Sequence, residues 1–249
     1  MSGLMNQKTS LPHEMWQSDP LESRPGVLRS TLAVIRKDLR LEWRGRARTN
    51  ATIFFAVLTL LLFSFAMGPH HQLLVRAAPG FLWLAIFLAS VMSLSESMRL
   101  ESENEALEGL RLLPVRPLAI FLGKAVVNAV FLSGLSLVLV PVAIAVYGVS
   151  LPLGFWALTK ILLVGCLGIC APGTLYAAIA IQARARDVLL PLLLFPVLIP
   201  VLLGAVKATS LVMQGDPMEQ LAGWTTLLFC FSLVYWVLCG VLFNRVIED

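Results

Sequence analysis

Long apolar runs, separated by short polar segments, dominate the pattern of residues along the chain. A membrane-spanning helix needs about 20 mostly apolar residues, or roughly 17 at the least. Six runs reach this length, and only the fourth contains a charged residue, Lys160. The predicted spans cover residues 51–67, 79–95, 126–146, 153–181, 188–206 and 223–243. The pattern therefore predicts an all-α membrane protein with six transmembrane helices.

A different pattern precedes the first apolar run. Residues 1–26 are polar and contain no apolar stretch, so we expect a flexible cytoplasmic tail that is neither a signal peptide nor a span. Residues 27–46 alternate apolar and basic positions at helical spacing, which predicts an amphipathic helix lying in the inner headgroup layer. A cytoplasmic helix packed on the bundle is the alternative. The apolar positions are Leu28, Leu32, Ile35, Leu39 and Trp43.

Residues 96–117 form the one strongly charged island between apolar runs. Ser102 and Glu105 have the spacing of a capping box, so a short helix is expected to start at Ser102, and Pro114 is expected to end it. Repulsion between like charges on one face weakens such a helix, and a basic partner surface would remove that penalty. The island therefore predicts a short charged helix suited to a basic partner surface. Its candidate docking residues are Arg99, Glu101, Glu103, Glu105, Leu107, Glu108, Leu110 and Arg111.

The distribution of basic residues predicts the orientation. With six spans, both termini and the acidic island lie on one side, and all 19 lysines and arginines except Arg76, Lys160 and Lys207 lie there too. Short cytoplasmic loops retain such residues. Both termini are therefore expected in the cytoplasm. Trp83, Trp156 and Trp224 lie near the outer ends of their spans, where an aromatic belt is expected.

Composition agrees with this assignment. The chain of 249 residues is 58% hydrophobic and only 14% charged, whereas soluble domains are about one quarter charged. The net charge of +4 reflects membrane topology, and it gives no support to nucleic-acid binding. The four cysteines all lie inside predicted spans, so we expect apolar packing residues; a metal or haem-thiolate site at Cys166 and Cys170 is the remote alternative.

Two spans contain helix-breaking residues. Pro172 and Gly173 suggest a break or a steep tilt in the fourth span, and the fifth carries Pro191, Pro196 and Pro200. Such helices often border a pathway, although ordinary kinked packing explains them equally well. Lys160 either faces a cavity for an anionic substrate or extends to the outer interface. The candidate pathway residues are Lys160, Pro172, Pro196 and Pro200.

Enzymatic motifs are missing from the sequence. Gly123 and Lys124 are followed by Ala125, and no phosphate-binding P-loop occurs, so ATP hydrolysis is expected on a separate subunit. The sequence has no HExxH motif and no pair of acids inside the spans, so it does not support an intramembrane enzyme. No catalytic or metal-binding residue is predicted. His70 and His71 could ligate a metal or haem from outside, but solvated loop histidines are the simpler interpretation.

Three sequence blocks resemble the CcmB family, the membrane subunit of the ABC complex of cytochrome c maturation, often called the haem exporter permease. They are residues 78–94, with Ala78-Pro79-Gly80-Phe81-Leu82-Trp83; the acidic island, with Arg99, Glu101, Glu103, Leu107, Glu108 and Pro114; and residues 174–205, with Pro196-Val197-Leu198-Ile199-Pro200. Glu105 departs from the glycine that the family usually has, and Glu101 stands for aspartate.

The resemblance implies a type-two ABC exporter-like permease in a bacterial inner membrane. It implies a cytoplasmic ATPase partner that receives the acidic island as a coupling helix, together with other haem-handling membrane subunits and a haem chaperone. Haem is the candidate transported species, and no cofactor is assigned to this chain. Two alternatives stay open: an ABC export permease for lipid, polysaccharide or drug, and a non-transporting scaffold for a haem-handling partner. Whether haem itself crosses or the loaded chaperone is released is also open.

Overall fold

The computed structural model describes residues 27–68, 70–103, 117–180 and 186–248. Within these ranges the chain forms seven helices and no strand. They are α1 Val27–Arg44, α2 Arg46–Met67, α3 His71–Glu103, α4 Pro117–Tyr147, α5 Phe155–Ala180, α6 Arg186–Gln214 and α7 Leu221–Glu248. The expected flexible tail, residues 1–26, lies outside the described residues.

Six of these helices, α2 to α7, are long and apolar enough to cross a membrane. This confirms the all-α membrane fold predicted from the apolar runs. All of them except α5 extend beyond the predicted spans because they continue into the flanking polar residues. Arg76, expected in the first outer loop, lies in α3, and Lys207, expected in the third outer loop, lies in α6; both side chains are exposed.

Helix α5 is the centre of the bundle. It packs against α3, α4, α6 and α7, and 72% of its apolar window is buried, against 17% for α2. Helix α2 lies at the edge, where it contacts α3, α4 and, more weakly, α1. The central position explains why the α5 sequence is rich in small residues: four neighbours can approach its backbone closely only where side chains are short.

The closest of these approaches joins α5 to α3. A Cβ atom at Gly165 would lie 2.2 Å from the ring of Trp83, so only glycine leaves room for the indole. Trp83 is 1% exposed, and its Nε1–H donates to Thr209 Oγ1 on α6 at 2.9 Å. The expectation that Trp83 belongs to an aromatic belt is therefore wrong. Trp83 instead ties three helices together, whereas Trp156 is exposed, as a belt residue would be.

Prolines do not interrupt the helices that contain them. Pro172 lies inside α5, and Pro191, Pro196 and Pro200 lie inside α6, both of which are continuous. The break expected at Pro172 and Gly173 is therefore not observed. One reason is that neighbouring helices can supply donors to the backbone carbonyls that a proline leaves without a partner.

The inner end of the bundle holds a second, smaller core. Phe121 near the start of α4, Leu175 near the end of α5 and Phe243 near the end of α7 belong to it, and the rings of Phe121 and Phe243 are 5.2 Å apart. The start of α4 therefore lies on the same side as the ends of α5 and α7. Successive spans alternate in direction, as the predicted topology requires.

Candidate functional site

The acidic island is joined to the bundle by two helices. Helix α3 continues without interruption from the second span to Glu103, and α4 begins at Pro117. Ser102 therefore lies inside α3, and the helix start expected there is not observed. Arg99, Glu101 and Glu103 belong to the last turns of α3. The other docking candidates, Glu105, Leu107, Glu108, Leu110 and Arg111, lie outside the described residues.

Helix α1 packs directly on the beginning of α4. Their backbones approach most closely at Gly123, where a Cβ atom would lie 2.6 Å from a methyl carbon of Val34. Any larger residue at position 123 would push α1 away. The segment that follows the island is therefore fixed to the amphipathic helix as well as to the bundle.

A buried ion pair reinforces this contact. Lys124 Nζ on α4 lies 3.5 Å from Asp38 Oδ2 on α1, and the two side chains are 4% and 12% exposed. Lys37 Nζ lies 3.3 Å from Asp38 Oδ1. A buried lysine is costly unless it has a charged partner, so Asp38 holds Lys124 in place. This role of Lys124 was not predicted from the sequence.

Two signals in the sequence point to this pair. Lys124 lies two residues before an apolar run, and Asp38 and Glu42 are the acids of an otherwise basic helix, one turn apart. Glu42 also pairs with another helix, through a hydrogen bond from Arg48 on α2 to its Oε2 atom. Only Gly45 separates α1 from α2. The two acids of α1 thus join it to α4 and to α2.

Helix α1 packs on the bundle with several of its leucine side chains exposed. Ser30 is buried and Asp38 mostly so, whereas Leu28, Leu32 and Leu39 are 86%, 51% and 44% exposed. Helix α1 therefore contacts the bundle through a mixed face that includes Ser30, Val34 and Asp38, and it leaves these leucines exposed. This arrangement combines the two alternatives derived from the sequence: the helix packs on the bundle, and its leucines are available to lipid. Their insertion into lipid stays a prediction.

Polar side chains continue inward from Lys124. One turn further along α4, Asn128 is buried and its Nδ2 atom donates to Thr174 Oγ1 of α5 at 3.3 Å. Ser136, two turns further on, is also buried, and its hydroxyl donates to Ser133 O at 2.8 Å. Asn128 and Thr174 thus form a polar contact between α4 and α5 beside the apolar inner core, whereas Lys124 faces α1.

The four candidate pathway residues are not gathered at one site. Pro172 is buried in α5, Pro200 is partly exposed and Pro196 is exposed on α6, and Lys160 is exposed near the outer start of α5. Exposure of Lys160 agrees with extension to the outer interface. A role of these four residues in transport stays a prediction.

Helix α7 donates hydrogen bonds to backbone carbonyls of α5 and α6. Tyr235 Oη donates to Val197 O, three residues before Pro200, and Trp236 Nε1 donates to Leu167 O, five residues before Pro172, at 3.0 Å. These bonds fix α7 to both helices close to their prolines.

The structure gives little support to a metal or haem-iron site in the part of the chain that it describes. No group of three or more His, Cys, Asp and Glu side chains converges there. His70 and His71 are exposed, and His71 lies beside Gly148, whose φ is +64°. The four cysteines are free thiols, and Cys166, Cys170 and Cys239 are buried, in agreement with a packing role.

Comparison with known proteins identifies relatives over most of the chain. The family model described as "CcmB protein" matches residues 29–247. "Heme exporter protein B" of Haemophilus influenzae is 33% identical over 175 residues, which cover 70% of this chain and 78% of that protein. The protein of the same name from Rhodobacter capsulatus is 30% identical over 198 residues, covering 78% and 90%. That from Pseudomonas aeruginosa is 32% identical over 206 residues, covering 80% and 89%.

Proposed function

This chain belongs to the CcmB family, and we propose on that basis that it is the membrane subunit of an ABC transporter for haem export in cytochrome c maturation. Its relatives carry the name "Heme exporter protein B", which supports haem as the cargo. The six helices that are long and apolar enough to cross a membrane support the assignment as a multi-pass subunit of the bacterial inner membrane. ATP hydrolysis belongs to a separate cytoplasmic subunit in this proposal.

The coupling mechanism follows from how the island is attached. One observation carries it: α3 runs unbroken from the second span to Glu103, and α4 begins at Pro117 and is fixed to α1 by the Lys124 and Asp38 pair. An α-helix transmits force along its axis because its backbone hydrogen bonds run in that direction. A partner that displaces the island on ATP hydrolysis therefore moves α3 and α4, and with α4 it moves α1.

The cargo route follows the polar contact between α4 and α5 in this proposal. Lys124 and Asn128 lie along α4, which the island would move, and Asn128 donates a hydrogen bond to Thr174 on α5. Pro172 lies two residues from Thr174, and prolines at such positions lower the cost of bending a helix. Pro196 and Pro200 give α6 the same capacity. Lys160, at the outer start of α5, would meet a carboxylate of the haem as it leaves.

Charge reversal in the island tests the coupling proposal. Glu101→Lys combined with Glu108→Lys should prevent recovery of the ATPase with the tagged chain, because a basic partner surface would then be repelled. Haem-stained c-type cytochromes should fall to the level of a deletion strain. Glu219→Lys, at an exposed position in the outer loop between α6 and α7, is the matched control. Unchanged ATPase recovery and unchanged cytochromes would refute docking through the island.

A further inference from the structure

A cleft of about 440 Å³ opens where α1, α2 and α4 meet. Its lining surface is mostly apolar, and the polar side chains contribute a small part of it. Glu42, Arg46, Thr49 and Asn50 form the polar wall, and Leu39, Val130 and Phe131 form the apolar one. The cleft therefore suits a molecule with a polar end and an apolar end. It lies away from the α4 and α5 contact to which the cargo route was assigned.

The position of the cleft matches the boundary between headgroups and hydrocarbon. Arg46 is the first residue of α2, whereas Val130 and Phe131 lie within the third apolar run, beyond Lys124. Val130 is 56% exposed, so the apolar wall opens to the surroundings of the bundle. An occupant could place its polar end at Arg46 and extend its apolar end along α4 into lipid.

The hydrogen bonding of Glu42 indicates which chemical group the polar end of the occupant contains. Its Oε2 atom accepts a hydrogen bond from Arg48, but its Oε1 atom is buried without a hydrogen-bond partner in the part of the chain that the structure describes. An unsatisfied buried carboxylate oxygen is costly. The missing partner is a donor, and a positively charged N–H group is the strongest one. Arg46 lines the same cleft, and a guanidinium is suited to bind phosphate.

We propose that this cleft binds a phospholipid whose headgroup carries a primary amine, as in phosphatidylethanolamine. On binding, the Glu42 carboxylate turns so that Oε1, which is buried in the free protein, accepts a hydrogen bond from the ammonium. The phosphate contacts Arg46, and the acyl chains lie along Val130 and Phe131. Phosphatidylcholine has the same charges but no N–H group, and phosphatidylglycerol has no cation. The carboxylates of haem would suit Arg46, but Glu42 would repel them. The lipid would thus hold α1 against α2 and α4.

Lipid titration of the purified full chain, followed by native mass spectrometry, tests the proposal. Phosphatidylethanolamine should bind about tenfold more tightly than phosphatidylcholine with the same acyl chains, because a charge-assisted hydrogen bond is gained. Glu42→Gln should abolish this preference, whereas Arg46→Gln should weaken binding of both lipids. Glu219→Gln and Arg76→Gln, at exposed positions near the outer side, are the matched controls and should change neither affinity.

If Glu42→Gln disturbs folding, lipids with a stepwise methylated headgroup amine can be titrated against the unaltered chain instead. Affinity should persist for mono- and dimethylated phosphatidylethanolamine, which retain an N–H group, and fall at the trimethylated form. Equal affinity across the series would overturn the proposal. Displacement of the lipid by haem, with tighter haem binding in Glu42→Gln, would also overturn it and would assign the cleft to the cargo.

Discussion

Two acidic residues on α1, Asp38 and Glu42, form ion pairs with the neighbouring helices. Each pairs with a base on a different helix, Lys124 on α4 and Arg48 on α2. The sequence showed an amphipathic helix, but periodicity identifies only its apolar face. Which face packs on the bundle depended on partners far away in the chain, so these pairs were not predicted.

Removal of one partner of the buried Lys124 and Asp38 pair should lower the stability of the protein. Lys124→Met removes the buried base that pairs with Asp38 and leaves the more exposed Lys37 beside it, so we expect a loss of roughly 1 to 3 kcal/mol in stability. Adding Asp38→Asn should restore part of this loss, because no unpaired charge is then buried. Thermal unfolding in detergent measures both effects, with Lys37→Met as the control. Additive losses in the double variant would contradict the pairing.

Close packing at Gly165 gives a second prediction at the residue scale. Gly165→Ala places a methyl group 2.2 Å from the Trp83 ring, and such overpacking typically costs about 1 to 3 kcal/mol. Trp83 cannot move aside without straining its bond to Thr209. Gly134→Ala is the matched control, because nothing lies within 4 Å of a Cβ atom there. A lower unfolding temperature is expected for Gly165→Ala alone; equal behaviour would contradict the tight contact.

At the scale of elements, the apolar runs predicted six spans, and the described part of the chain has six helices long and apolar enough for them. The errors lie at the ends. Helix α3 begins at His71 and ends at Glu103, because a helix continues through polar residues for as long as its backbone bonds are satisfied. The separate helix start at Ser102 was wrong for the same reason: a capping motif does not end a helix that already exists.

The exposed leucines of α1 predict insertion into lipid. A fluorophore attached at Leu32→Cys should be quenched strongly by spin-labelled lipid in proteoliposomes, because this position is 51% exposed on the apolar face. The same label at Arg36→Cys, on the basic face, should be quenched weakly. Labelling of the unaltered chain measures the contribution of the native cysteines. Equal quenching at both positions would show that α1 does not lie in the interface.

At the scale of the whole molecule, the charge distribution predicts that both termini lie in the cytoplasm. A green fluorescent protein fused after Asp249 should therefore fluoresce, whereas alkaline phosphatase fused there should be inactive. Alkaline phosphatase inserted at residues 148–154, between α4 and α5, should be active because this loop faces the opposite side. Reversed activities would contradict the positive-inside assignment.

The sequence by itself determined the membrane class, the number of spans and, through three matching blocks, the family. These properties depend on composition, on periodicity and on residues close together in the chain. Tertiary structure decided the central position of α5, the burial of Trp83, the pairing of Lys124 with Asp38 and the cleft beside Glu42. Each of these depends on which helix faces meet, and that is set by packing between residues distant in sequence, where small residues allow close approach and buried charges require partners.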